Sequence, residues 1–139
     1  MICLIRIKGD VGLKKEIRET LVRLRLRRKY SCVVLIKPTK EQLGMIKNAR
    51  DFIAFGEIKK EIFEKLIESR GKLKDKTKKT DLTKVTKDLL LGKKYEELNL
   101  KPFFRLHPPR KGINSKKHFP KGVLGDNKEK INELVERML

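Results

Sequence analysis

Cys32-Val33-Val34-Leu35-Ile36-Lys37-Pro38-Thr39-Lys40-Glu41-Gln42 holds a strand, its stop and the start of a helix in eleven residues. The run 32–36 is short, β-branched and apolar on both faces, which predicts a strand in the interior of a sheet. Pro38 ends it, and Thr39 with Gln42 three residues on is a capping-box pattern that opens a helix through about Arg50. Downstream, Phe52-Ile53-Ala54-Phe55 reads as a further strand closed by Gly56. Ile58, Ile62, Phe63, Leu66 and Ile67 then recur at helical spacing, with Gly71 at the C′ position. Upstream, Ile2-Cys3-Leu4-Ile5-Arg6-Ile7 reads as a strand. Leu13, Ile17, Leu21 and Leu24 form the apolar stripe of a helix reaching about Leu26. The order β-α-β-α-β-α over residues 1–71 predicts a compact α+β sandwich with helices on one sheet face.

Residues 72–80 change character to a Lys-dense segment without periodicity, a linker or loop that orders against an anion. The extension 81–139 opens with a short helix carrying Leu82, Val85 and Leu89 on one face, with Gly92 after it. Phe103-Phe104-Arg105-Leu106 reads as another strand. A basic arm spans 101–125, and Asp126 with Glu129 is placed to cap a final helix bearing Ile131, Leu134, Val135 and Met138.

Charge narrows the function. Lys plus Arg is 37 against 18 for Asp plus Glu in 139 residues, a net of +19, and 40% of the chain is charged. Residues 1–70 carry a net of +9 and 71–139 a net of +10, so the excess is no removable tail. Such a balance calls for a polyanionic partner, nucleic acid before others. No apolar run approaches the roughly 20 residues that span a bilayer. The N-terminus meets Arg6 too soon for a secretory leader, so a cytoplasmic chain is expected. Cys3 and Cys32 offer neither a disulfide framework nor a CxxC metal pair, and both fall in apolar strands as buried free thiols.

Two acid-free clusters are the candidate contacts. Arg23, Arg25, Arg27, Arg28 and Lys29 end the first helix, and one or two charges would satisfy the helix dipole where five are present. The arm contributes Arg105, His107, Arg110, Lys111, Lys116, Lys117, His118 and Lys121, stiffened by Pro108-Pro109. Lys47 and Arg50, one turn apart, are further candidates or simply the wet face of their helix. His107 and His118 raise the option of acid–base cleavage of RNA. Eleven residues of Pro/Gly loop leave their mutual geometry open, and RNA contact or loop packing is the preferred reading. No catalytic residue, metal or cofactor is assigned. Of the aromatics, Phe52, Phe55 and Phe63 fall on core stripes, and Phe119 alone lies free among basic residues.

Leu24-Arg25-Leu26-Arg27, Leu43-Gly44-Met45-Ile46, Asp51-Phe52-Ile53-Ala54-Phe55-Gly56-Glu57-Ile58 and Arg105-Leu106-His107-Pro108-Pro109-Arg110 together resemble the large-subunit ribosomal protein L-thirty family, whose eukaryotic members are called L-seven. The Pro-Pro element and closing helix resemble its archaeal and eukaryotic branch, and a start directly at the first strand points to the archaeal side. The resemblance implies a small ferredoxin-like antiparallel core and a non-enzymatic role on the ribosome. It further implies contact with large-subunit rRNA near the five-S rRNA region, and neighbouring ribosomal proteins as partners. Neither a membrane nor DNA is an expected partner. A free-standing RNA-binding protein or RNA chaperone is the alternative. One position departs from the family pattern. Many relatives carry a basic residue just before Gly-Met, where this chain has Leu43, so a phosphate contact there is not carried over. Lys47 or Arg50 would substitute for it.

Overall fold

A computed structural model of the chain describes residues 1–73, 82–95, 97–112, 117, 119 and 121–139. Strands β1 (Ile2–Arg6), β2 (Ser31–Leu35) and β3 (Ile53–Glu57) are joined through helices α1 (Lys15–Arg23) and α2 (Lys40–Ala49). Helices α3 (Lys60–Arg70) and α4 (Leu82–Leu90) follow. The short strands β4 (Phe104–Arg105) and β5 (Gly125–Asp126), a 3-10 turn over Lys128–Lys130, and α5 (Ile131–Met138) complete the chain. The sheet order is β4-β2-β1-β3-β5. β1 is central and antiparallel to both neighbours, with Ile5 opposite Cys32 and Arg6 opposite Ile53. β4 is antiparallel to β2, and β5 is parallel to β3. The mixed α+β, ferredoxin-like expectation holds, with one parallel edge pair added.

Helices cover both faces of this sheet, where one covered face was expected. Leu4, Val33 and Ile53 pack against Leu21 and Leu24 of α1 and Ile46 and Ala49 of α2. Cys3, Ile5, Ile7, Cys32, Val34 and Ala54 pack the other way, onto Phe63 and Leu66 of α3, Leu89 of α4, and Leu134 and Val135 of α5. The cause lies in the strands themselves. Residues 3–7 are buried without interruption, and strands apolar on both faces need a layer on each side.

Local expectations divide along the same line. The Thr39–Gln42 capping box forms, with Gln42 N–H donating to Thr39 Oγ1 at 3.2 Å and Thr39 N–H to Gln42 Oε1 at 3.0 Å. Gly56 lies inside β3 and does not close it. A Cβ there would sit 2.3 Å from the Lys128 carbonyl oxygen, so the glycine lets the 3-10 turn press onto the strand. Gly71 ends α3 in an extended conformation (φ −63°, ψ 131°) instead of the left-handed one read from sequence. Asp126 does not cap α5. Its segment pairs with β3 through Asn127 N–H to the Phe55 carbonyl, and its carboxylate accepts the Lys128 N–H. Asn132 of α5 ties the β3–α3 joint instead, accepting from Lys59 N–H at 2.8 Å and donating to the Glu57 carbonyl at 3.2 Å.

The two thiols are buried as expected, with Cys3 Sγ and Cys32 Sγ 3.4 Å apart on diagonal positions of β1 and β2. Their mutual hydrogen bond and burial push the Cys32 thiol up, which keeps it protonated.

Arg6 is the exception in the core. Only 2% exposed, its guanidinium donates from Nε to the Lys8 carbonyl at 2.9 Å and from Nη1 to the Leu26 and Arg27 carbonyls at 3.1 and 2.6 Å. Nη2 pairs with Asp10 at 2.6 Å. Replacing it leaves the Leu26 carbonyl short of a donor in a buried setting, worth about 1–3 kcal/mol, and the Lys8 and Arg27 carbonyls short of one where water can partly compensate. Arg6→Met is expected to cost about 2–4 kcal/mol in chemical denaturation. A loss within the error of the measurement would show that water replaces the guanidinium.

Candidate nucleic-acid interface

The strand register gathers one end of the sheet. Arg6 faces Ile53 and Ser31 faces Arg105, so the last residue of β1, the starts of β2 and β3, and the end of β4 lie together. The chain leaving α1 arrives at this same end. It does so through a Schellman turn in which Leu26 N–H donates to the Leu21 carbonyl (2.8 Å) and Arg25 N–H to the Val22 carbonyl (3.0 Å). Leu21 and Leu26, the apolar pair that accompanies this motif, are both fully buried. The turn explains why α1 stops at Arg23, short of the Leu26 limit read from its apolar stripe. Leu26 is apolar because the turn buries it. Arg25, Arg27, Arg28 and Lys29 are consequently exposed.

Arg25 stands at the C′ position with φ +64°, where glycine is the usual occupant. A left-handed non-glycine residue costs about 1 kcal/mol. Local strain of this kind persists where the side chain has a use.

β4 completes the site from eighty residues away. Phe104 points into the core, so the strand's alternation puts Phe103 and Arg105 on the opposite side, toward the α1 turn. Arg25, Arg27, Arg28, Ser31, Phe103 and Arg105 line a cleft of about 220 Å³. Phe103 is half-buried, and the Arg105 guanidinium lies 5.7 Å from its ring centroid. No acidic side chain lines the cleft. Guanidiniums of like charge lining one cleft favour an oxyanion that takes several of their N–H donors.

The remaining candidates distribute unevenly. Lys29 leans over the Tyr30 ring at 5.1 Å, outside the cleft. Lys47 and Arg50 are exposed at the end of α2. The Phe52 carbonyl that follows accepts from Ile7 and Lys8 N–H, which brings this turn to the same sheet end, although neither cation lines the cleft. Arg110 and Lys111 are exposed, with Arg110 N–H donating to the Arg137 carbonyl and Lys111 left-handed at φ +65°. His107 is turned inward. Its Nδ1 lies 2.6 Å from the Pro108 carbonyl oxygen and its Nε2 contacts the Leu139 oxygen, so both ring nitrogens have partners within the chain.

The 101–125 segment reaches both edges of the sheet. It starts on the β4 edge and finishes on the β5 edge, where Phe119 N–H and the Leu124 carbonyl, and Leu124 N–H and the Lys117 carbonyl, pair at 2.9 and 3.1 Å. Lys117 and Lys121 therefore belong to the β5 side and are not gathered with the arginines. Lys116 and His118 lie outside the described residues. Phe119, read as free among bases, lines a second cleft of about 490 Å³ with Glu57, Asp126, Asn127, Lys128, Glu129 and Lys130, a lining of mixed sign.

Sequence reading missed Phe103, Ser31 and the anchoring role of Arg6. Phe103 was recoverable, since a Phe-Phe pair on a strand must send one ring to each face. Among the described residues no helix is long and apolar enough to cross a membrane, and no group of three His, Cys, Asp or Glu side chains could hold a metal.

Residues 2–53 match the family model described as ribosomal protein L30p/L7e. Over 152 aligned positions the chain is 40% identical to the large ribosomal subunit protein uL30 of Archaeoglobus fulgidus, covering 99% of both chains. It is likewise 40% identical to the protein of that name from Methanosphaera stadtmanae, with both chains fully covered. To the one from Nanoarchaeum equitans it is 37% identical, over 98% of this chain and 97% of that one.

Arg25 separates stability from binding. Arg25→Gly relieves the left-handed backbone and is expected to raise stability by up to about 1 kcal/mol, while lowering the salt at which the chain elutes from a heparin column. Arg25→Ala should lower elution equally without the stability gain. Unchanged elution in both variants would remove Arg25 from the anion site.

Proposed function

The chain belongs to the ribosomal protein L30p/L7e family, and from that premise we propose that it is a structural constituent of the large ribosomal subunit that binds and stabilises folded rRNA. The family is a structural, non-enzymatic class. The observation that carries the RNA-binding part is the acid-free arginine cleft, built from two segments that share nothing but a sheet end.

Charge segregation gives the orientation. Eight of the eighteen acidic residues fall in 57–68 and 126–136, the stretches of α3, α5 and their leading turns. These helices lie on the far side of the sheet from α1 and α2. The arginine end addresses rRNA, including the five-S rRNA region, and the α3–α5 side is left for solvent and neighbouring ribosomal proteins. Arg25, Arg27, Arg28 and Arg105 bind phosphates in the cleft. Lys29, Lys47, Arg50, Arg110 and Lys111 form an exposed cationic surround, with Lys117 and Lys121 on the β5 side. His107 serves chiefly to fix the Pro108-Pro109 corner against α5. Arg suits this work because its planar fork grips phosphate bidentately, and neutralised phosphates release their condensed counterions. Recognition follows RNA shape, with little reading of base sequence.

With about six to ten phosphates engaged, rRNA affinity is expected to fall about 10³- to 10⁵-fold between roughly 50 and 200 mM salt. Arg105→Ala combined with Arg110→Ala should weaken rRNA binding while thermal stability stays within about 1 kcal/mol, because both side chains are exposed. Unchanged affinity in the double variant would sink this assignment. In a sucrose gradient of native lysate the chain should travel stoichiometrically with the large subunit through a high-salt wash. Recovery at the top of the gradient would favour a free RNA-binding protein or chaperone.

A further inference from the structure

Resting on the RNA-binding reading above, we propose that the cleft between the α1–β2 turn and β4 receives a single unpaired nucleotide, its phosphate on the arginines and its base stacked on the Phe103–Arg105 pair. Exposed cations suit the backbone of a duplex, and Lys29, Arg110 and Lys111 are of that kind. The cleft differs in shape and in chemistry. It is concave, about 220 Å³, and combines four guanidiniums with an aromatic ring.

Phosphate binding needs no aromatic ring, and Phe103, which packs in part against the core beneath α1 and α2, also lines the cleft. Phe103 is half-buried among charged neighbours at the edge of the core, and the Arg105 guanidinium set over it at 5.7 Å makes a layered platform. Aromatic rings and guanidinium planes are the two surfaces on which proteins stack splayed-out RNA bases. In a duplex those base faces are hidden, so only a bulged, looped or flipped nucleotide can use the platform. Arg25, Arg27 and Arg28 then meet the phosphate of the same nucleotide, on a turn held in place by Arg6.

Clefts lined by Tyr95 with Lys37, Lys93 and Lys94, or with Arg23 and Arg25, also pair cations with a ring. The Tyr95 hydroxyl is committed to the Val34 carbonyl, however, and no other described cleft sets four guanidiniums around a ring. The one beside Phe119 carries Glu57, Asp126 and Glu129, which repel a phosphate. The one along α1 between Lys15 and Arg23 has no aromatic ring. Stacking platforms tolerate any base, so the predicted selectivity is for unpaired over paired RNA and not for one nucleotide identity.

The test uses the full chain and two RNA hairpins sharing one stem, the first fully paired and the second carrying one bulged 2-aminopurine. The bulged hairpin is expected to bind about tenfold tighter, with the 2-aminopurine fluorescence quenched in the complex. Phe103→Leu, which keeps an apolar side chain against the core, should abolish the quenching and bring the two hairpins to equal affinity. A thermal melt of the variant confirms that it folds. Equal binding of the two hairpins, or a preference that survives Phe103→Leu, would overturn the nucleotide site and leave the RNA-binding reading standing. Failure of both hairpins to bind would contradict the RNA-binding reading itself, and the nucleotide site with it.

Discussion

A guanidinium is costly to take out of water unless its nitrogens find acceptors, and Arg6 supplies each of its three with at least one, using three backbone carbonyls and one carboxylate. Two of those carbonyls belong to Leu26 and Arg27, so the last residue of the central strand holds the turn that leaves α1. The Arg6 carbonyl adds a further tie by accepting from Tyr30 N–H at 2.7 Å. With the turn held there, Leu26 fills the core, Ser31 enters β2 in register and β4 can pair beside it. The arginines of the turn and Arg105 of β4 meet as a consequence. Asp10 is the exposed member of the network. Hydrogen bonding to Arg6, then the Arg6 charge, holds its carboxyl below the usual range. Its contribution is therefore present above the ordinary carboxylate pKa near 3.9 and lost as pH falls through the lowered value, outside the neutral range.

The same end of the molecule is where folding is opposed. Like charges converge in the cleft, and Arg25 and Tyr30 adopt left-handed backbone conformations that glycine would take without strain, as Asn99, Lys111 and Lys128 do elsewhere in the chain. Neither feature improves the isolated protein. Both become intelligible if the native state is completed by a polyanion, which binds the folded form and stabilises it by mass action. The apolar cores on either side of the sheet supply the margin that allows this.

Much of the fold was legible because it depends on local signals. Alternating or continuous apolar runs mark β1 to β3, helical stripes mark α1 to α3, and the Thr39–Gln42 box is read correctly from two residues. What escaped depends on contacts between distant segments. Gly56 looked like a terminator, yet it is a contact surface for the 3-10 turn around Lys128, seventy residues on. Asp126 and Glu129 have the spacing of a cap, but strand pairing with β3 claims the backbone first. The apolar second face of β1 and β2 was visible, and its consequence, a helical layer on each side, follows only when α3, α4 and α5 are seen to share it. The candidate site divides in the same way. The cluster at 25–29 stands out by charge alone. Phe103 and Arg6 do not, since one sits in an aromatic strand and the other in an apolar strand, and their roles arise from the turn they meet.

The central claim is that the sheet end carrying Arg25, Arg27, Arg28 and Arg105 is the RNA-facing surface. Ultraviolet crosslinking of intact large subunits, with the modified peptides of this chain identified by mass spectrometry, tests it most directly. Crosslinks to rRNA should concentrate at residues 25–31 and 103–111, with few on the outer surfaces of α3 and α5. Crosslinks concentrated on α3 and α5, with the arginine turn and β4 unmodified, would contradict the account.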